Sequence, residues 1–184
     1  MIDLQQNLGN EFVLIRPLSE QDLEPLYQVA KDPLIWEQHT RKRYQRDEFE
    51  AFFKESMESK GALIILDKKN TEVMGSSRFK KLDSVDTAIE IGWTFLARKY
   101  WGGKYNTLVK SLMIDHALNF YEEIIFYVTK SNFRSQKALE KIGGKKTNEN
   151  RYQSPTANNH LTYRIPKDEW KRVKSQLLKN TGLH

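Results

Sequence analysis

The segment that most constrains the fold covers residues 89–118, IEIGWTFLARKYWGGKYNTLVKSLMIDHAL. It begins as an apolar strand and ends with apolar side chains at the spacing of an amphipathic helix. Gly102 and Gly103 lie in the loop between them, shortly before the helix. A helix N-terminus offers unpaired N–H groups and positive dipole character, and glycine lets a ligand approach the backbone closely. The segment therefore predicts a strand–loop–helix unit suited to phosphate binding, although a glycine pair can also simply turn the chain.

The rest of the chain predicts an α/β fold built on a mixed sheet. Strand-like patterns cover residues 12–15, 62–67, 73–82, 88–97, 124–129, 145–154 and 159–165, and helical spacing covers 20–31, 47–59, 104–120, 132–142 and 166–178. The order is β-α-α-β-β-β-α-β-α-β-β with a C-terminal helix. Hairpin-type strands before a strand–helix–strand crossover indicate an α+β mixed sheet with helices on both faces. With 184 residues and no repeat or linker, we expect one domain over 1–184.

Composition excludes several classes of site and partner. The chain has no cysteine, so it forms no disulfide, thiolate zinc site or cysteine nucleophile. His39 and His160 have no ligand spacing that would pair them, so we expect no metal. No apolar run is long enough for a membrane span and we see no secretory signal, so we expect a cytoplasmic protein without a membrane partner. The net charge of +6 favours an anionic partner, but no platform of clustered aromatic and basic residues indicates nucleic acid.

Three motifs are similar to those of the GNAT superfamily of acyl-CoA-dependent N-acyltransferases. They are VLIRPLSEQDLEPLYQV at 13–29, LARKYWGGKYN at 96–106 and SNFRSQKALEKIGG at 131–144. They resemble the family's L-R-P start, its Q/R-x-x-G-x-G/A loop and its N-x-x-[AS] helix that ends in K-x-G. EIGWTF, YWG and the third motif most resemble the RimJ/RimL-type branch, whose members acetylate protein N-termini or small amines. The resemblance implies an N-acetyltransferase that takes acetyl-CoA, acts on a small-molecule or peptide amine and releases CoA.

The resemblance also implies a cofactor site. In this family the loop N–H groups hold the cofactor pyrophosphate, and the end of the preceding strand offers its backbone to the pantetheine arm. Asn132 would hydrogen-bond the cofactor with Ser135 close by, although an asparagine here is by itself a common helix N-cap. The implied cofactor-binding residues are Thr94, Phe95, Leu96, Trp101, Gly102, Gly103, Lys104, Tyr105, Asn106, Asn132 and Ser135.

Three positions depart from the family pattern. Lys99 stands where the family has glutamine or arginine, and Lys104 stands where it usually has a second glycine. Lys104 either adds positive charge near phosphate or makes the loop less accommodating. Leu139 replaces a tyrosine that serves many members as an acid, so another group such as Tyr105 or Ser135 acts, or the thiolate leaves without an acid. These departures leave a non-catalytic acyl-CoA-binding or regulatory module as the alternative function.

Glu90 is the candidate general base, because an amine must be neutral when it attacks a thioester. Strand alternation predicts that Glu90, Gly92 and Thr94 share one face. The opposite face would carry Ile89, Ile91, Trp93 and Phe95. Four residues of strand span about 13 Å, so Glu90 would act through water or by gripping the amine. The alternatives are a solvent-facing carboxylate or one paired with Arg78 or Lys80.

The acceptor and the assembly are the least constrained by sequence. The irregular segment 33–45 carries Trp36 and Tyr44, and in this family the corresponding region lines the acceptor pocket. A plain surface loop is the alternative for that segment. The pattern is compatible with either a monomer or a homodimer.

Overall fold

An eight-stranded mixed sheet organises the part of the chain that the computed structural model describes, residues 2–83, 85–152 and 159–179. The strands are β1 (Leu8–Gly9), β2 (Val13–Pro17), β3 (Ala62–Asp67), β4 (Val73–Lys81), β5 (Ala88–Leu96), β6 (Glu123–Thr129), β7 (Lys145–Thr147) and β8 (His160–Pro166). Their spatial order is β1-β2-β3-β4-β5-β6-β8-β7. β5 and β6 pair in parallel, while the other neighbours pair antiparallel. The predicted mixed sheet is confirmed.

Helices cover both faces of this sheet. They are α1 (Leu23–Ala30), α2 (Arg46–Glu58), α3 (Tyr105–Ala117), α4 (Phe133–Lys141) and α5 (Lys167–Lys179). Alternate residues of β3 face opposite ways, so Leu63 and Ile65 pack in the core under α3, α4 and α5. Ile64 and Leu66 pack in a second core under α1 and α2. We call these the α3 core and the α1–α2 core. No helix within the described ranges has the length and apolar character that a membrane span requires.

Some predicted boundaries are wrong, and each has a local cause. β1 is only two residues long and exists through its pairing with β2, so it has no periodicity of its own to detect. The predicted helix 104–120 ends at Ala117, and Phe120 lies exposed beyond it. The predicted strand 145–154 stops at Thr147 because a helical turn follows at Asn150–Tyr152. The end of that strand and Ser84 of the predicted turn lie outside the described residues.

The strands β5 and β6 separate after a short paired stretch, and this separation positions the site. Their pairs run from Ala88 with Glu123 to Glu90 with Ile125. Beyond Glu90, β5 is held by β4 and β6 is held by β8. The two strands diverge because each follows its other neighbour, so within the described ranges no strand pairs with the β6-facing edge of β5 after Glu90.

Candidate active site

A cleft of about 750 Å³ opens where β5 and β6 separate. Its walls come from both strands, from α3 and α4, and from the segment between α1 and α2. The side chains of several predicted site residues meet there, namely Glu90, Thr94, Asn106, Asn132 and Ser135. Leu139 also lines the cleft, where it contributes an apolar surface and no proton. The structure therefore brings the predicted base and part of the predicted cofactor site to one cavity.

The loop between β5 and α3 leaves a row of amide groups free. The N–H groups of residues 102–107 donate to no other residue within the described ranges. Gly102 has φ +70°, a conformation that favours glycine, and a Cβ added at Gly102 or Gly103 would meet no atom within 4 Å. Open space beside unpaired N–H groups at a helix N-terminus is suited to an oxyanion.

Trp101 differs from the other predicted loop residues. Its backbone N–H donates to the carbonyl of Arg98 at 3.0 Å, so it is not free to hold phosphate. Its indole Nε1 donates to the carbonyl of Leu96 at 2.8 Å, and the Arg134 guanidinium lies 4.0 Å from the ring centroid. The predicted backbone role of Trp101 is therefore wrong, because local turn bonding uses its amide. Its side chain instead closes the loop against β5 and α4.

Lys104 and Tyr105 turn their side chains away from the cleft. The ammonium of Lys104 lies 3.1 Å from the centroid of the Phe12 ring, a cation–π contact. The ring of Tyr105 packs edge-on against Tyr100 with centroids 4.9 Å apart. Neither side chain lines the cleft, so Tyr105 is not placed to act as the acid there. Lys104 leaves the space beside the two glycines open because its stem follows the surface towards Phe12.

A β-bulge at Trp93 overturns the predicted alternation of β5. Ser76 pairs with Phe95 and Arg78 pairs with Gly92, so Trp93 and Thr94 together oppose Ser77 alone. Trp93 has φ +52°, which is strained for a residue with a side chain. The prediction that Thr94 shares a face with Glu90 is wrong, because an extra residue reverses the side-chain direction.

The bulge sends its two side chains to opposite faces. The Trp93 ring packs against the α1–α2 core, and the Arg78 guanidinium lies 4.4 Å from its centroid. Phe95, predicted on the face opposite Glu90, also packs in the α1–α2 core. The Thr94 hydroxyl instead faces α3, where it accepts a hydrogen bond from Lys110. The cleft is thereby lined by side chains from both faces of the sheet.

Glu90 is a buried carboxyl on the α1–α2 side of the cleft. Its side chain is 7% exposed, and burial raises its pKa to about 7 against the smaller opposing effects of Lys80 and Arg78. Neither alternative from sequence applies, because Glu90 is not solvent-facing and no ion pair joins it to a cation within the described ranges. Arg78 instead pairs with Glu55 at 2.8 Å. A carboxyl that changes charge near pH 7 is suited to accept a proton from an amine.

Tyr127 lines the cleft on the same side as Glu90. Burial and the charge of Glu90 raise its pKa to about 12. It stays protonated at neutral pH, so its hydroxyl can donate a hydrogen bond to a group in the cleft.

Lys110 is the site residue that the sequence analysis missed. It lies on α3, is 5% exposed, and its ammonium donates to Thr94 Oγ1 at 2.6 Å. No carboxylate pairs with it within the described ranges, and burial lowers its pKa to about 7. Its side chain also packs over the Phe126 ring at 5.2 Å. The sequence does contain a signal for a buried lysine: Lys110 lies three residues before Met113 and seven before Ala117, on the apolar stripe of the helix.

Asn132 joins α4 to the segment between α1 and α2. Its Oδ1 accepts from the backbone N–H of Ser135 at 3.1 Å, so the helix N-cap expected as the alternative is present. Its Nδ2 lies 3.3 Å from His39 Nε2. Burial, with the charges of Arg43 and Arg134, lowers the pKa of His39 to about 4, so the imidazole is neutral and accepts this hydrogen bond. The segment that was expected to line the acceptor pocket is thus docked on the N-terminus of α4.

Comparisons with known proteins agree with this geometry. The family model described as "Acetyltransferase (GNAT) domain" matches residues 13–145. No curated protein matches the chain. A GCN5-related N-acetyltransferase from Brucella melitensis has a TM-score of 0.80 at 17% identity, with 95% of this chain and 85% of that chain covered.

Two further solved structures share the fold. A GNAT-family acetyltransferase from Bacillus anthracis has a TM-score of 0.70 at 19% identity, with 89% of this chain and 99% of that chain covered. Mycobacterium smegmatis RimJ, solved in complex with CoA-disulfide, has a TM-score of 0.70 at 18% identity, with 99% of this chain and 98% of that chain covered. At these identities the similarity concerns the fold alone.

Proposed function

Because the chain belongs to the GNAT acetyltransferase family, we propose that it transfers the acetyl group of acetyl-CoA to a primary amine of a small molecule or a protein N-terminus. The observation that carries this proposal is the cleft between β5 and β6. There a buried carboxyl, Glu90, and a buried ammonium, Lys110, approach from opposite faces of the sheet. The motifs EIGWTF and YWG favour the RimJ/RimL-type branch, with residues 1–184 forming one N-acyltransferase domain.

Residues of the cleft and of the β5–α3 loop beside it fit acetyl-CoA; of the loop residues 102–106, Asn106 lines the cleft itself. The free amides from Gly102 to Asn106 would hold its pyrophosphate, since they are unpaired at the start of α3 and the space beside Gly102 and Gly103 is open. The edge of β5 at residues 94–96, which pairs with no strand on the β6 side within the described ranges, would bond the amide groups of its pantetheine arm, with the Leu96 carbonyl already occupied by the Trp101 indole. Asn132 and Ser135 line the same cavity from α4. When bound, acetyl-CoA supplies the thioester carbonyl that an amine attacks.

Two proton transfers are assigned to the two buried ionisable groups. Glu90 accepts a proton from the attacking amine, directly or through water, on the α1–α2 side. Lys110, whose Nζ on the α3 side is held in position by Thr94 Oγ1, would donate a proton to the leaving thiolate. Both groups have a pKa of about 7, so both are able to change charge at neutral pH. Lys110 thus replaces the tyrosine acid that Leu139 cannot provide.

Acetyl-CoA and CoA will stabilise the protein against thermal unfolding. A ligand present at 100 times its dissociation constant adds about 2.7 kcal/mol, which gives a clear rise in Tm. A Gly103→Asp substitution will reduce this rise strongly, because a carboxylate beside the free amides repels phosphate. Gly103→Asn is the matched control, with the same size and no charge, and a Cβ at this position meets no atom.

The two substitutions test the loop and a transfer assay tests catalysis. Equal CoA binding by Gly103→Asp and Gly103→Asn would show that the pyrophosphate lies elsewhere. CoA release from acetyl-CoA in the presence of an amine panel then separates an enzyme from an acyl-CoA-binding module. A module would show the thermal shift without amine-dependent CoA release, and absence of any shift would contradict both functions.

A further inference from the structure

Arg43 presents a guanidinium to the cleft without a carboxylate partner. It lies between α1 and α2, and its Cζ is 4.2 Å from the Phe52 ring centroid and 5.5 Å from that of Trp36. The two rings hold the planar group by cation–π contacts but accept none of its N–H bonds. Within the described ranges it forms no hydrogen bond and no ion pair, whereas Arg16, Arg78 and Arg134 all have carboxylate partners.

The cleft that Arg43 lines carries more cationic than anionic side chains, with Asp83 and Glu90 as its carboxyl groups. Other cationic side chains also line the cleft, namely Arg41, Lys80, Lys81, Lys110 and Arg151. Arg78 packs on the same Phe52 ring from 5.7 Å. Burial lowers the pKa of Arg43 to about 10; the charge of Glu55 and, less strongly, that of Glu48 oppose this effect, while the charges of Arg78 and Arg41 add to it. A partly buried cation that forms no ion pair is costly, so an anion bound there would relieve an existing penalty.

Arg43 also lies on the acceptor side of the cleft. Phe52 and Trp36 belong to the α1–α2 core, which covers the face of the sheet that carries Glu90. The free amides assigned to pyrophosphate are at the N-terminus of α3, whose helix packs on the opposite face. The charge of Arg43 is therefore available to a group on the acceptor, separate from the phosphate loop.

We propose that the acceptor is a primary amine that also carries an oxyanion, either a carboxylate or a phosphate, and that Arg43 binds this oxyanion while the amine lies at Glu90. This inference rests on the proposed acetyl transfer. A guanidinium fork matches the oxygens of a carboxylate or phosphate in a bidentate way. A polycationic amine meets like charge in the same cleft and is disfavoured.

The test is a comparison of amines that differ only in the anion. Purified full-length protein is assayed for CoA release with γ-aminobutyrate against γ-aminobutyramide, with phosphoethanolamine against ethanolamine, and with spermidine. We expect kcat/KM at least tenfold higher for one or both anionic members, since hydrogen bonds to a charged group are stronger than those between neutral groups. The two pairs distinguish a carboxylate from a phosphate.

Substitutions of Arg43 test whether its guanidinium causes the preference for anionic amines. Arg43→Gln will raise KM for the preferred anionic amine about tenfold or more and remove the preference over its uncharged partner, because the oxyanion loses its charged donor. Arg43→Lys will retain part of the preference, since it keeps the charge without the fork. Lys42→Gln, at the neighbouring exposed position outside the cleft, will leave it unchanged. Thermal melting of each variant reports whether the fold is retained.

The results of these assays distinguish failure of the anionic-acceptor inference from failure of the proposed acetyl transfer. Turnover of amines with a preference for ethanolamine, γ-aminobutyramide or spermidine overturns it and leaves the proposed acetyl transfer intact. A weaker thermal shift by CoA in Arg43→Gln also overturns it, because Arg43 would then bind the cofactor phosphates. Absence of CoA release with every amine contradicts the acetyl transfer and this inference together.

Discussion

Lys110→Met will make the free protein more stable and lower its turnover by about two orders of magnitude. The ammonium is 5% exposed and has no carboxylate partner in the described structure, and burial lowers its pKa from 10.5 to about 7. Each pKa unit corresponds to about 1.4 kcal/mol, so after discounting for relaxation we expect a gain of about 2–4 kcal/mol near pH 7. Turnover falls because general acid catalysis typically contributes about 10²–10⁴-fold.

The pH dependence of this gain identifies its cause. Between about pH 7 and pH 10.5 the unfolded chain binds the Lys110 proton more strongly than the folded chain does. The penalty in the wild type is therefore full below pH 7 and fades as the pH rises towards 10.5. Urea unfolding at pH 6, 8 and 10 should show a shrinking difference between Lys110→Met and the wild type.

A matched control shows whether the effect of Lys110→Met comes from the burial of the ammonium or only from the loss of one positive charge. Lys137 on α4 is exposed, so Lys137→Met removes the same charge without relieving a buried one. We expect its unfolding free energy to change by less than about 0.5 kcal/mol. If Lys110→Met destabilises the fold, the ammonium is better compensated than its contacts indicate. If the variant keeps full turnover, the sulfur leaves without a proton from Lys110.

Glu90→Gln will lower turnover at least a hundredfold while leaving CoA affinity unchanged. The substitution keeps the size of the side chain but cannot accept the amine proton. Because the pKa of Glu90 is about 7, wild-type activity should rise with pH through this value as the carboxyl loses its proton. The proposed role of Lys110 adds a decline above pH 7, giving a bell-shaped profile centred near neutrality.

The same variant has a signature in stability. The folded pKa of Glu90 is raised from 4.5 to about 7, so the folded state binds more protons than the unfolded state between these values. The contribution of this carboxyl to the free energy of unfolding is therefore fully present below pH 4.5 and is lost as the pH rises through 7. Glu90→Gln should lack this dependence, as chemical unfolding at pH 5 and pH 8 would reveal.

A second carboxylate provides the control for Glu90→Gln, and two results would contradict the proposed role of Glu90. Asp86 is an exposed carboxylate just before β5, and Asp86→Asn should keep both turnover and the rising limb of the profile. If Glu90→Gln instead loses its thermal response to CoA, the carboxyl supports the cleft and does not act on the amine. If it keeps the rising limb, another group sets the pKa near 7.

The site shows where sequence reasoning reached its limit. Glu90 was predictable because a charged residue interrupts an apolar strand, and strand period places it without knowledge of its partners. Thr94 was placed on the wrong face because the bulge at Trp93 depends on how β4 pairs with β5. Lys110 and Arg43 were not singled out as site residues, since the sequence does not reveal how deeply each is buried or that neither forms an ion pair within the described ranges.

The order of the main elements, the resemblance to the family and the glycine loop ahead of α3 were predictable from the sequence. These follow from local periodicity, from turn residues and from motifs that are continuous in the chain. Which residues share the cleft depends on tertiary packing, because Glu90, Lys110 and Arg43 come from β5, from α3 and from the segment between α1 and α2, which line one cleft where β5 leaves β6. Their altered pKa values arise from desolvation, which depends on the packing of distant segments around each charge.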